Sequence, residues 1–264
     1  MKKVLYLALL AGFGLTSCKK SDTTGGTGDN SNNPAPSIDK FMSFTAGSTW
    51  NYNEHDNTNN GDTSFTRTCT DELVILESNQ YYIFLDSNHI VNNIDSSFFN
   101  VVGNEYFQFT TLSSQLPGFK EKYLVDNAST STSWIMPYSA TIGTGTMGAN
   151  ITANIVNTIE EKGSSLTVNN VNYSNVYKVK TEILNATVSL PTIGSLPTTI
   201  SQNIHSYYAP KYGLIKNDRQ LNISVTISPT LALILSSTLG LTIPAGDIPI
   251  INTNKTTTLT SKNF

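Results

Sequence analysis

Charge is scarce in this chain. Only 13% of its 264 residues are Asp, Glu, Lys or Arg, and 19 acids against 16 bases leave a net charge of −3. So weak and acidic a balance has no basic stripe or patch for nucleic acid. Histidine is scarcer still: His55, His89 and His205 have no second histidine two to four positions away, the spacing that sets ligands side by side, so no metal site is expected. The chemical motifs with recognisable spacing are missing as well. There is no Gly-x-Ser-x-Gly elbow, no His-Glu-x-x-His, no phosphate loop and no Asp-x-Asp-x-Asp-Gly calcium loop. Gly143–Gly148 is glycine-rich but lacks the following Lys-Ser/Thr, and reads as a loop. The acid pairs Asp71-Glu72 and Glu160-Glu161, on adjacent strand positions, are expected on alternate faces, where neither pair converges as a glycosidase pair would. No catalytic residue and no cofactor are therefore expected.

Long apolar runs are absent too. The run near the start, Val4 to Leu15, has no charge, follows Met1-Lys2-Lys3 and is too short to cross a bilayer. A basic start, a short apolar run and small residues after it read as an export signal over residues 1–17. Leu15-Thr16-Ser17-Cys18 resembles the bacterial lipobox, in which Leu15, Thr16 and Ser17 are read by the signal peptidase and the thiol of Cys18 takes the lipid. Lys19, where an Asp would retain the protein at the inner membrane, implies by the same resemblance an outer-membrane lipoprotein; whether it faces periplasm or exterior stays open. Loss of Lys2 and Lys3 takes the net charge to −5. Residues 18–37 are Ser, Thr, Gly, Asn, Asp and Pro with almost nothing to bury, a lipidated tether with a mean reach of about 25 Å. Within it Asp22-Thr23-Thr24 resembles a short O-glycosylation sequon, with Thr23 as acceptor. Of two cysteines, Cys18 is consumed by lipid, so Cys69 is left without a partner and is expected as a small buried apolar residue.

Residues 38–264 have almost no helical periodicity and are rich in alternation. Leu221, Ile223, Val225 and Ile227 alternate with Asn222, Ser224, Thr226 and Ser228; Tyr177, Val179, Thr181 and Ile183 alternate with Lys178, Lys180 and Glu182. Ile151, Ala153, Ile155 and Ile159 share a face. Turns are expected at Asn60-Gly61, Pro117-Gly118, Lys162-Gly163 and Asn169-Asn170. The fold class is therefore all-β and mainly antiparallel: a large curved sheet, half barrel or sandwich. One short helix is expected near 229–239, with Ser228 as its cap, Pro229 in its first turn, Gly240 at its end and Leu231, Ile234, Leu235 and Leu239 on its apolar face. It would plug one end of the sheet or serve as a lid. Trp50 and Trp134, each after a Ser/Thr run and followed by Tyr52 and Tyr138, hint at a single domain built from two duplicated halves, about 38–125 and 126–264, with chance likeness as the rival.

Two segments carry a family resemblance. Phe44–Tyr52, with Gly-x-x-Trp-x-Tyr, and Tyr207–Lys216, with Tyr-Tyr-Ala-x-x-x-Gly-Leu-Ile-Lys, resemble signatures of uncharacterised β-rich lipoproteins of the Bacteroidetes. The second is also similar to a strand pair of lipoprotein-carrier half barrels, in which a curved sheet wraps a lipid-sized cavity. Trp50, Tyr52, Trp134, Tyr207 and Tyr208 are the candidate ligand or core aromatics. The expectation is a non-catalytic envelope lipoprotein, held at the membrane through its lipid and binding a protein or glycan or acting structurally. The alternative is a carrier or sensor of a hydrophobic ligand, its cavity lined by Ala186–Leu196, Leu231–Leu241 and Ile243–Ile251.

Overall fold

The computed structural model describes residues 41–88, 93–112, 116–142, 148–191, 193–239 and 242–264. Leu15, Thr16, Ser17, Cys18 and Thr23 lie outside the described residues, as do His89, the 143–147 part of the glycine-rich loop, and Gly240.

The chain forms strands β1 (Thr49–Asp56), β2 (Gly61–Leu76), β3 (Asn79–Asn88), β4 (Asn93–Val102), β5 (Glu105–Thr110) and β6 (Phe119–Val125), then β7 (Ser133–Ile142), β8 (Ala149–Val168), β9 (Val171–Leu190), β10 (Gly194–Leu196), β11 (Thr198–Ala209) and β12 (Gly213–Ile227). Helix α1 (Pro229–Leu239) precedes the last strand, β13 (Gly246–Asn263). The strands lie in the order β6-β5-β4-β3-β2-β1-β13-β12-β11-β9-β8-β7, with β10 beside β9. Every pairing is antiparallel. Of the shapes left open by the sequence, the molecule takes one curved sheet that nearly closes into a barrel of twelve strands.

Its two edges fall in the middle of the chain, at β6 and β7, while the first and last strands pair along their length from Thr49↔Asn263 to Asp56↔Lys255. The edges meet through side chains instead of a ladder. Lys122 on β6 offers its carbonyl to Trp134 Nε1 at 2.5 Å and to Asn157 Nδ2 at 2.9 Å, and its N–H to Met136 Sδ at 3.0 Å. An unpaired backbone group away from water is costly, so these bonds stand in for the missing strand pairing. Pro137 in β7 is tolerated because that strand is an edge.

The alternation expected over 221–227 and 151–159 is present, with the apolar side inward. Polar residues such as Lys178, Lys180 and Glu182 face out and pair with one another or with Glu160. That polarity is the reverse of a lipid-facing barrel, whose apolar band points outward; among the described residues no helix is long and apolar enough to cross a membrane. Asn60 and the pair Asn169-Asn170 have positive φ and make the expected tight turns.

Four local expectations are corrected. Lys162-Gly163 is not a turn: Gly163 sits at φ +82° in an irregularity within the continuous β8. A second irregularity, between Ile159 and Glu161, removes the strict alternation, so Glu160 and Glu161 both reach Lys178, at 3.0 and 3.5 Å, instead of taking opposite faces. Asp71 and Glu72 likewise sit in a bulge between Cys69 and Leu73, both exposed. Helix α1 begins as expected, Ser228 Oγ accepting from the N–H of Leu231 at 3.2 Å. It then buries Ala232 and packs Leu231 and Leu235 against Ile227, Ile243 and Ile248, leaving Ile234 half exposed.

Residues 41–44 close one end of the barrel. Phe41 packs edge-on against Tyr177 and Tyr106 of opposite strands, and Phe44 against Tyr82 and Phe84. Gly213, at φ +72° after the Pro210–Tyr212 turn, lies beneath this plug: a Cβ there would stand 2.7 Å from the carbonyl oxygen of Phe41. Gly213→Ala therefore combines a left-handed backbone with a clash and is expected to cost about 2 kcal/mol, read as a lower urea midpoint at unchanged slope.

Candidate functional site

Along the inward face of the longer strands, composition changes in layers. On β12 the sequence runs from buried Ile215 through Asn217 and Arg219 to buried Leu221, Ile223 and Val225. β9 passes from Val179 through Thr181 to Ile183, β8 from Ile155 through Asn157 to Ile159, and β11 from Ile204 through Ser206 to Tyr208. β13 carries Thr253, Lys255 and Thr257 between Ile251 and Leu259, and β6 carries Glu121 between Phe119 and Tyr123. The apolar stretches belong to two separate core clusters, one around Trp50, Phe84, Tyr106 and Ile215, the other around Ile155, Ile183, Leu221 and Ile251. Between them lies a polar belt.

Strand register makes the belt continuous. Asn157 lies opposite Thr181, Ser206 opposite Asn217, Asn217 opposite Thr257, Arg219 opposite Lys255 and Gln108 opposite Glu121. The belt surrounds a cavity of about 690 Å³, also reached by Tyr52, Glu54, Phe65, Arg67 and the Thr110–Leu112 connection after β5. That volume lies within the range of small-molecule sites, roughly 300–1,000 Å³.

Most belt groups already have partners. Thr181 Oγ1 donates to Asn157 Oδ1 at 2.6 Å, and Asn217 Nδ2 to Ser206 Oγ at 2.8 Å. Glu121 accepts from Gln108 Nε2 at 2.6 Å and from Asn157 Nδ2 at 3.3 Å. Lys255 Nζ lies 2.6 Å from Glu54 Oε1. Arg67 holds Asp86 in a two-pronged pair, Nε to Oδ1 at 2.8 Å and Nη2 to Oδ2 at 2.7 Å, with Ser97 Oγ bonded to both side chains. Burial works against the charge of Arg67, yet Asp86, by charge and hydrogen bonds together, carries the guanidinium pKa above its ordinary value. Its plane also lies 4.9 Å from the Phe99 ring centre. Arg219 is treated differently: Nη2 donates to the Leu112 carbonyl at 3.0 Å, while Nε is buried without an acceptor. Burial holds its pKa below the ordinary arginine value, opposed by the charges of Glu121 and Glu54.

The five candidate aromatics are dispersed. Tyr52 and Tyr208 line the cavity, Tyr52 donating its hydroxyl to the Leu214 carbonyl at 3.2 Å. Burial raises both phenol pKa values above their ordinary range, so both are neutral donors. Trp50 belongs to the plugged end, its indole N–H on the Tyr212 carbonyl at 3.0 Å. Trp134 sits at the seam. Tyr207, half-buried, lies opposite Lys178 and Lys216 and carries the Lys216 ammonium 5.5 Å from its ring centre. Trp50 and Trp134 are the second residues of β1 and β7, the first strands on either side of the 125/126 boundary. His55 pairs with Asp62 and His205 with Glu160 on the outside, and among the described residues no three potential ligands converge for a metal. Cys69 is buried, its thiol pushed up to about 11 by burial.

Sequence reasoning passed over Arg67, Glu121, Asn157, Asn217 and Arg219. A signal existed for three of them: the stripe Leu221–Ile227, continued backwards by twos, reaches Arg219 and Asn217, and the gap in Ile151–Ile159 is Asn157. The segments expected to line a cavity contribute little. Ile250 and Ile251 reach it, whereas Ala186, Leu190, Ile193, Leu196 and Leu231 pack in the core around it.

No family model and no curated protein matches the chain. Among solved structures it is similar to a "putative lipoprotein" from Parabacteroides distasonis, with a TM-score of 0.49 and 13% identity over 86% of this chain and 100% of that one. Likeness of this degree leaves ligand and role to be argued from the cavity.

Arg67 and Asp86 form a two-pronged ion pair beside the cavity. Asp86→Asn leaves a partly buried guanidinium without its counter-charge and is expected to cost about 3 kcal/mol, measured by urea unfolding. An unchanged midpoint would mean that water reaches the pair freely.

Proposed function

We propose that the mature protein is a lipid-anchored, non-catalytic binding protein of the outer membrane, whose barrel holds a small polar molecule in its interior. The anchor rests on Leu15-Thr16-Ser17-Cys18, and the outer-membrane location on Lys19. The binding role rests on one observation: a cavity of about 690 Å³ ringed by hydrogen-bonding side chains from β1, β2, β5, β6, β8, β9, β11, β12 and β13. A non-catalytic role is supported by the state of its carboxylates, since Glu54 is paired with Lys255 and Glu121 accepts two amide donors. Both carboxylates are engaged within the protein. The belt also weighs against an acyl chain as occupant, because apolar contact would strip water from polar groups without replacing their hydrogen bonds, at about 1–3 kcal/mol for each.

Two measurements test this. The full chain, expressed with its own leader and extracted gently in detergent, should retain a small polar molecule in native mass spectrometry; a bare mass would remove the binding role, and a stoichiometric lipid would replace it with the hydrophobic-carrier reading. Cys18→Ser should leave the leader in place and the chain without acyl mass, so that any membrane association that remains is through the uncleaved leader and the protein is lost from the outer-membrane fraction. Normal processing and membrane retention of that variant would overturn the anchor.

A further inference from the structure

The fold treats its two cavity arginines in opposite ways. Arg67 is matched by a carboxylate and a hydroxyl, every contact made within the protein. Arg219 points into the same cavity from β12 with one bond, to a backbone carbonyl on the β5–β6 connection, and its buried Nε has no acceptor. Among the described residues it has no ion pair. Its direct cross-strand neighbours are Ile204 on β11 and, on β13, another cation, Lys255, whose ammonium is taken by Glu54. The remaining carboxylate of the belt, Glu121, is held by Gln108 and Asn157. A guanidinium remains charged at any physiological pH, and its fork of N–H donors matches the two oxygens of an oxyanion. An unpaired buried cation is costly unless something compensates it.

We propose that Arg219 is the anion-recognition residue of the cavity, and that the ligand carries a carboxylate or phosphate group. This rests on the binding role proposed above and specifies its chemistry. The oxyanion meets the guanidinium from the cavity, and the hydroxyl and amide groups of Asn217, Ser206 and Thr181 line the same space, where they meet polar atoms on the rest of the molecule. Arg67 contributes no anion site, because Asp86 neutralises it.

The test uses the full lipidated chain in detergent, with succinate and inorganic phosphate as probes, sodium chloride at the same ionic strength as control, and glycerol as the neutral comparison. Without ligand, Arg219→Met should unfold at a higher temperature than the wild type, since it removes a charge that has no ion pair of its own; a structural arginine would give the opposite. At least one anion should raise the wild-type midpoint beyond sodium chloride and glycerol, succinate marking a carboxylate site and phosphate a phosphoryl site. Arg219→Met should lose about tenfold or more in affinity for that anion, the size of one charge-assisted contact, while Arg219→Lys keeps part of it. A less stable Arg219→Met together with no anion response beyond the controls overturns the proposal. The two readings fail separately: a neutral molecule carried equally by wild type and Arg219→Met sinks the anion site alone, and bare masses with no probe response sink binding altogether.

Discussion

The interior exists because β1 and β13 pair. The chain makes two antiparallel meanders, β1–β6 and β7–β13, and strand neighbours in sequence are almost always neighbours in space. Joining the first strand to the last turns these meanders into one sheet wide enough to curl on itself. The edges that remain lie at mid-chain, where the backbone of Lys122 is met by Trp134, Met136 and Asn157. Closure by ladder at the termini and by side chains at mid-chain has different physical consequences. A ladder is cooperative along its length, whereas a side-chain seam rests on a few contacts, so the β6–β7 boundary is the part of the wall with least redundancy.

Once closed, the sheet has too much circumference for its interior to fill with side chains alone. Larger barrels enclose cavities for this geometric reason. Here the residues facing the void are polar at one level and apolar above and below it. The belt is tied into the seam: Asn157 bonds Lys122, Glu121 and Thr181 together, so the polar network that surrounds the cavity also holds the wall shut. The cavity lining and the seam therefore share one amide side chain.

The strands were legible wherever one face was purely apolar. Leu221–Ile227 alternates cleanly, so its faces and the antiparallel class follow from the residues alone. Legibility failed at bulges. Between Ile159 and Glu161, and between Cys69 and Leu73, an irregularity breaks the period of two, which no local composition announces; hence the misplacement of Glu160 and Glu161. It failed again where a core face turned polar. Asn157, Asn217 and Arg219 interrupt apolar stripes, and a reading that takes polarity as a sign of solvent assigns them outward or omits them. That polar interruptions on different strands line up at one height depends on long-range register, the pairing of Ser206 with Asn217 or Arg219 with Lys255, which sequence spacing does not carry. The aromatic signatures were legible as core but not as cavity: only Tyr52 and Tyr208 face it.

Phe41, Met42 and Phe44 plug one end of the barrel, buried among Trp50, Tyr106, Tyr177 and the Gly213 turn. If a lipid anchor precedes them, any pull between membrane and barrel arrives at this plug before it reaches a strand. The load is then resisted by ring packing across several strands rather than by unzipping β1 from its neighbours, a geometry that spreads force over the cross-section of the wall. The same attachment would point the plugged end toward the membrane and the α1 end away from it, so the barrel would stand on its stopper.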